Sequence, residues 1–195
     1  MQLIAHRINS CKQLLDTPHN LGVEVDIRSR GTELIIHHDP FEEGESFDIW
    51  LREFNHKTLI LNVKEEGLEP YLIEKMQSVG IEDYFFLDQS FPFLIKYAAA
   101  TSGRSAVRFS EFESIDTVLS LAGKVGWVWV DCFTRFPLKT DDAIALKEAG
   151  FKLCLVSPEL QGREAVAGIK QMRSDLNGLR INADAVCTKR PDLWS

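Results

Sequence analysis

The chain has 195 residues, 45% of them hydrophobic and 26% charged, with only 12 Gly and 7 Pro. That is enough for one packed core, short of the length at which cores divide, and unlike disordered or low-complexity sequence. The net charge is −7 with no block of Lys or Arg, which excludes the basic footprint of a phosphate-backbone binder; nucleic acid is not an expected partner. The start, Met1-Gln-Leu-Ile-Ala-His6-Arg7, has neither the basic nor the apolar region of a signal peptide. No stretch approaches the roughly 18 apolar residues of a membrane span, so the expectation is a cytoplasmic protein without one. Cys11, Cys132, Cys154 and Cys187 are scattered without metal or redox spacing and read as reduced core residues.

Short apolar runs rich in β-branched and aromatic residues predict eight strands, at Leu3–Ala5, Gly22–Ile27, Thr58–Val63, Tyr84–Leu87, Ser105–Phe109, Val125–Val130, Lys152–Val156 and Ala183–Val186. After the second, Ser29-Arg30-Gly31-Thr32 reads as a turn into a hairpin arm, Glu33–His38. Helical spacing predicts helices over Glu69–Val79, Phe93–Thr101, Ser114–Ala122, Thr140–Ala149 and Gln161–Asn177, with Gly80, Gly150 and Gly178 where C-terminal caps are expected. Strand then helix, repeated, implies parallel strands with helical crossovers. The expected fold is α/β: a single (β/α)8 TIM-type barrel over residues 1–195, with trimmed helices and a short hairpin arm after the second strand. The first helix is the expected loss, because Asn9–Asn20 is short and broken by Pro18.

In a strand, residues two apart share a face, so Glu24 and Asp26 present two carboxylates together. Burying such a pair is costly unless a cation compensates it, and a hard divalent ion suits oxygen donors. The alternative is a solvent-facing strand edge. His6-Arg7 closes the first strand and His38-Asp39-Pro40 closes the arm. These residues fall at strand ends, where parallel barrels hold their active sites.

The order His6-Arg7, Glu24-Val25-Asp26, a Gly-containing turn, an arm ending His38-Asp39, and a strand ending in Lys64 resembles the glycerophosphodiester phosphodiesterase family. Gln89-Ser90-Phe91 and the closing Ala183-Asp-Ala-Val-Cys187-Thr188-Lys189-Arg-Pro-Asp192 extend the likeness over nearly the whole chain. The resemblance implies a metal-dependent hydrolase of a small soluble glycerophosphodiester or a related polyol or sugar phosphodiester. It implies that His6 and His38 exchange protons, that Arg7 and Lys64 hold the phosphate, and that Glu24 and Asp26 bind Mg²⁺ or Ca²⁺. Two histidines suit acid and base roles at neutral pH.

The family's third-strand Glu-x-Lys stands here as Asn62-Val63-Lys64, so the expected third metal ligand is Asn62 or an acid that steps in for it, Asp88, Glu65 or Glu66, with Asp88 preferred because a strand end fixes its direction. Ile8 replaces the family's Gly after His-Arg, and the usual long insertion is reduced to Phe41–Lys57. Arg108, Trp129, Asp131 and Glu159 are candidates for specificity, with core packing the alternative for the tryptophan. The second functional reading, supported by Asn62, is a catalytically weak or inactive barrel that binds a phosphorylated ligand or a protein partner.

Overall fold

The computed structural model describes residues 1–195. In chain order the elements are β1 (Gln2–Ala5), α1 (Cys11–Asp16), β2 (Gly22–Arg30), β3 (Glu33–Ile36), β4 (Glu45–Ser46), α2 (Phe47–Arg52) and β5 (Leu59–Val63). There follow α3 (Glu69–Val79), β6 (Tyr84–Leu87), α4 (Phe91–Thr101), β7 (Gly103–Phe109), α5 (Ile115–Leu119) and β8 (Val125–Val130). The last part contains α6 (Thr140–Glu148), β9 (Lys152–Val156), a 3-10 turn (Pro158–Gln161), α7 (Ala165–Gly178), β10 (Ala185–Thr188) and α8 (Pro191–Trp194).

The strands are hydrogen-bonded in the order β1-β10-β9-β8-β7-β6-β5-β2-β3-β4, and β1 also pairs with β2. Eight of them are the parallel strands of a (β/α)8 barrel, and β3 and β4 form an antiparallel arm after β2. No helix is long and apolar enough to cross a membrane. The chain divides into two compact units, Ala5–Ser105 and Ala106–Ser195 with Met1–Ile4.

In the Ala5–Ser105 unit, β5 and β6 are buried at every residue, as strands covered on both faces must be, which is why they read as continuous apolar runs. Along β2 the period of two separates Val23, Val25 and Ile27 from Glu24 and Asp26, yet all five are fully buried. The carboxylates are therefore interior groups and not a solvent-facing edge. β2 and β5 pair in parallel with Glu24 opposite Ile60 and Asp26 opposite Asn62, and Lys64 follows Asn62 by two residues on the same face.

The first helix is present, contrary to expectation, but as six residues only. Ser10 caps it by accepting from Gln13 N, and it stops before Pro18 can clash with it. Cys11, expected in the core, sits half-exposed at its start. The short connection Phe41–Lys57 holds a helix not anticipated, α2. Its Phe47 and Trp50 are fully buried, and the Trp50 ring stacks on Phe47 and Phe54 at 5.9 Å each. Helix α3 matches its predicted limits and ends at Gly80, whose φ of 70° is left-handed.

In the other unit, β8 and β9 pair in parallel with Trp127 opposite Lys152 and Trp129 opposite Cys154. Gly178 does not cap α7 but lies inside it; the left-handed position falls on Arg180, φ 55°. Strand β10 starts two residues later than predicted. Asp184 stays outside it, accepting from Leu153 N at 2.6 Å and from Lys147 Nζ.

Glu111, after β7, accepts from Thr134 N (2.6 Å), Thr134 Oγ1 (2.7 Å) and Arg135 N (3.3 Å). Burial alone would raise its carboxyl, but these donors outweigh it and hold the group at about 2, against an ordinary 4.5. Because the folded value is depressed, the stabilisation is present above the ordinary value and is lost as pH falls from there towards the folded value. Urea titrations of wild type and Glu111→Gln should therefore differ most at neutral pH and converge near the folded value; a gap that widens with acid contradicts this.

Candidate functional site

Glu24 lies at the centre of the Ala5–Ser105 unit's polar cluster. Its Oε2 accepts from Arg7 N at 2.7 Å and stands 3.8 Å from His6 Nε2, while its Oε1 accepts from Asn62 Nδ2 at 2.7 Å. Burial, and then the neighbouring Asp26 carboxylate, push Glu24 up to about 7 against these donors and the Lys64 ammonium. His6 is one residue past the end of β1 and its side chain is 14% exposed.

Asp26 is held by a side chain that sequence reasoning overlooked. Asn9 donates from Nδ2 to Asp26 Oδ2 at 2.7 Å and accepts from Asp26 N at 3.0 Å, a reciprocal clasp that fixes the carboxylate's rotamer. Arg7 Nε stands 3.7 Å from the same oxygen, and Lys64 Nζ stands 3.3 Å from Oδ1. Lys64 Nζ also donates to Asp88 Oδ2 at 2.8 Å. Both Arg7 (φ 54°) and Asp88 (φ 62°) are left-handed non-glycine residues, a costly conformation that clusters where side chains must be aimed. In Asp88 the turn directs the carboxylate to Lys64.

His38 stands just past β3, with its side chain 38% exposed, and its Nδ1 is 2.8 Å from Asp39 Oδ1. The bond holds the Asp39 carboxyl below the usual range and fixes the imidazole, so that Nε2 is the nitrogen left to meet a substrate. His37 instead accepts from Asp39 N through its own Nδ1 at 3.0 Å.

A second overlooked residue joins the two arms of the cluster. Arg28, on β2, donates from Nε and Nη2 to the His38 carbonyl (3.2 and 2.9 Å) and from Nη1 to the Lys64 carbonyl (3.2 Å). One guanidinium fork thus sets the position of the histidine loop against the end of β5. No motif flags Asn9 or Arg28; their roles exist only through partners distant in sequence.

The remaining candidates belong to the Ala106–Ser195 unit. Arg108 Nη1 donates to Asp131 Oδ2, and Asp131 Oδ1 accepts from Gln161 Nε2 at 2.8 Å. Trp129 is 5% exposed and packs in the core. Glu159 accepts from Thr188 Oγ1 (2.6 Å) and Lys189 N (2.9 Å) and from Ser157, whose hydroxyl accepts in turn from Trp194 Nε1 at 2.8 Å. Glu159 here ties the last strand to the 3-10 turn.

A resident divalent metal does not fit the donors as they stand. Asp26 Oδ1 faces the Lys64 ammonium, both Glu24 oxygens receive N–H groups, and Asp88 is turned to Lys64. No three His, Cys, Asp or Glu side chains stand grouped as a metal ion requires. Two buried oxygens have no hydrogen-bond partner: Asn62 Oδ1, which is neutral, and Asp26 Oδ1, whose one cation is the Lys64 ammonium at 3.3 Å.

No protein-family model matches the sequence, and no curated protein does. Solved structures do. Glycerophosphodiester phosphodiesterase from Agrobacterium tumefaciens superposes with a TM-score of 0.68 at 12% identity, over 100% of this chain and 97% of that one. A glycerophosphoryl diester phosphodiesterase from Parabacteroides distasonis gives 0.65 at 11%, over 97% and 83%. At such identity the likeness establishes the (β/α)8 fold and nothing finer.

Proposed function

We propose that the chain is one catalytic barrel domain that hydrolyses a small phosphodiester, a glycerophosphodiester or a related polyol or sugar phosphodiester. The observation that carries this reading is one cluster holding an oriented His38-Asp39 pair, a second histidine beside Glu24, and two cations, Arg7 and Lys64, on Asp26. The likeness of fold to two phosphodiesterases supports it.

A phosphodiester is a stable anion, so cleavage needs charge neutralisation at the non-bridging oxygens, a base for the attacking hydroxyl and an acid for the departing alkoxide. Arg7 and Lys64 supply the positive charge. Of the two histidines, one takes the proton of the attacking water or neighbouring substrate hydroxyl, and the other gives a proton to the leaving oxygen. The bond made is oxygen to phosphorus, and the bond broken is phosphorus to the leaving alkoxide.

The test is a panel of glycerophosphodiesters differing in the second alcohol, with formation of glycerol phosphate followed by phosphorus NMR. Turnover of at least one member supports the reading. Silence across the panel, with phosphate esters still bound, favours the second reading, a barrel that binds without turnover, for which the Asn62 amide capping Glu24 argues.

Arg28 touches no substrate in this scheme and acts by placing His38. Arg28→Met should lower kcat by about 10²-fold, the typical loss for an ångström-scale displacement of a catalytic group, while KM for the same diester changes little. Steady-state kinetics separate the two; a KM effect alone would assign Arg28 to binding.

A further inference from the structure

We infer that Lys64 is a built-in counter-cation that stands where a divalent metal would otherwise compensate the carboxylates, so that this site takes up a phosphate ester without any metal. This rests on the reading of the cluster as a phosphodiester site. Three observations lead to it. Lys64 Nζ stands between Asp26 Oδ1 (3.3 Å) and Asp88 Oδ2 (2.8 Å), neutralising a carboxylate on each neighbouring strand. Its side chain is only 14% exposed, so the charge is held in place and not diluted in solvent. Asn62, the register partner of Asp26, donates its amide to Glu24 and brings no negative charge of its own.

An ammonium carries three N–H donors. One is given to Asp88, while Asp26 Oδ1 stands in ionic contact at 3.3 Å without accepting a hydrogen bond; a further N–H can meet a phosphoryl oxygen, with the Arg7 guanidinium beside the Asp26 carboxylate. Asp26 then holds both cations in position for an anionic ligand in place of gathering a metal ion, while Glu24 is occupied by the Arg7 and Asn62 N–H groups. Asn62 is the residue that decides between the two arrangements: a third carboxylate there would compete for Lys64 and restore an acidic oxygen set.

The experiment is a pair of titrations on the full chain, each readable without turnover. In the first, Mg²⁺, Ca²⁺ and Mn²⁺ alone are titrated calorimetrically into chelator-treated wild type and Asn62→Glu. Wild type should give no saturable binding, and Asn62→Glu should gain it. In the second, glycerol phosphate is titrated in the presence of EDTA. Wild type should bind it, Lys64→Gln should bind about tenfold to a hundredfold more weakly, the usual worth of a charge-assisted hydrogen bond, and Lys64→Arg should keep most of the affinity.

Saturable metal binding by wild type that disappears in Asp26→Asn overturns the proposal. So does glycerol phosphate binding that requires metal, or that Lys64→Gln leaves intact. If Lys64→Gln does not fold, the wild-type metal titration and the Lys64→Arg variant still decide. A chain that hydrolyses nothing would leave the metal titrations equally readable, so failure of the catalytic reading is distinct from failure of this one.

Discussion

His38→Ala is expected to lower turnover of the best diester by about 10²–10⁴-fold, the range that a positioned proton-transfer group supplies, and His6→Ala by a similar factor. Both should leave the fold in place. His38 is partly exposed and its side chain is tied only to Asp39, so its loss removes no core contact, and substitutions of that kind shift stability by about 0.5 kcal/mol or less. Asp39→Asn should fall between wild type and His38→Ala, since it keeps a group beside Nδ1 but loses the charge that orients the ring. Single-turnover rates measured beside urea unfolding separate chemistry from stability. Near wild-type rates in His38→Ala would remove that residue from the reaction and leave His6 with no partner for the second proton.

Trp50→Ala should cost about 3–5 kcal/mol of unfolding free energy, the range for emptying a large buried aromatic site. The ring is wholly enclosed and stacked between Phe47 and Phe54, so a cavity there has rigid walls. Against a total stability of about 5–15 kcal/mol, usual for a domain, that is from roughly a fifth of the whole to nearly all of it. Trp50→Phe should cost far less. It keeps much of the apolar contact and deletes an indole Nε1–H that is buried without a hydrogen-bond partner, a group that itself costs roughly 1–3 kcal/mol to bury. Equilibrium urea unfolding of the two variants gives the comparison. Equal losses would mean that the N–H contributes through a contact other than a hydrogen bond.

The strands were legible because parallel strands enclosed on both faces must be apolar throughout. Tyr84–Leu87, Val125–Val130 and Lys152–Val156 have the predicted limits. Helix α2 was not, since six residues give too little of the 3.6 period to separate from a loop; the spacing of Phe47, Trp50 and Phe54 was its one trace. At Gly178 composition misled. A glycine near a helix end can be inside it, and Arg180 adopts the left-handed turn instead.

For the candidate site, the residue types were readable and their wiring was not. Glu24 and Asp26 share a face because strands alternate, which any strand assignment predicts. That Asp88 turns to Lys64 follows from a backbone angle that sequence does not encode in a glycine or asparagine. Asn9 and Arg28 act over 10 to 36 residues of chain, beyond the reach of any local pattern.

Arg7 occupies a backbone conformation in which glycine would sit with less strain. Its amide caps Glu24 from that conformation, and its guanidinium faces Asp26. The amide could be kept by glycine, but the positive charge could not. Position 7 is therefore a point of compromise: folding bears the penalty and the anion receives the benefit, and no natural amino acid serves both ends there at once.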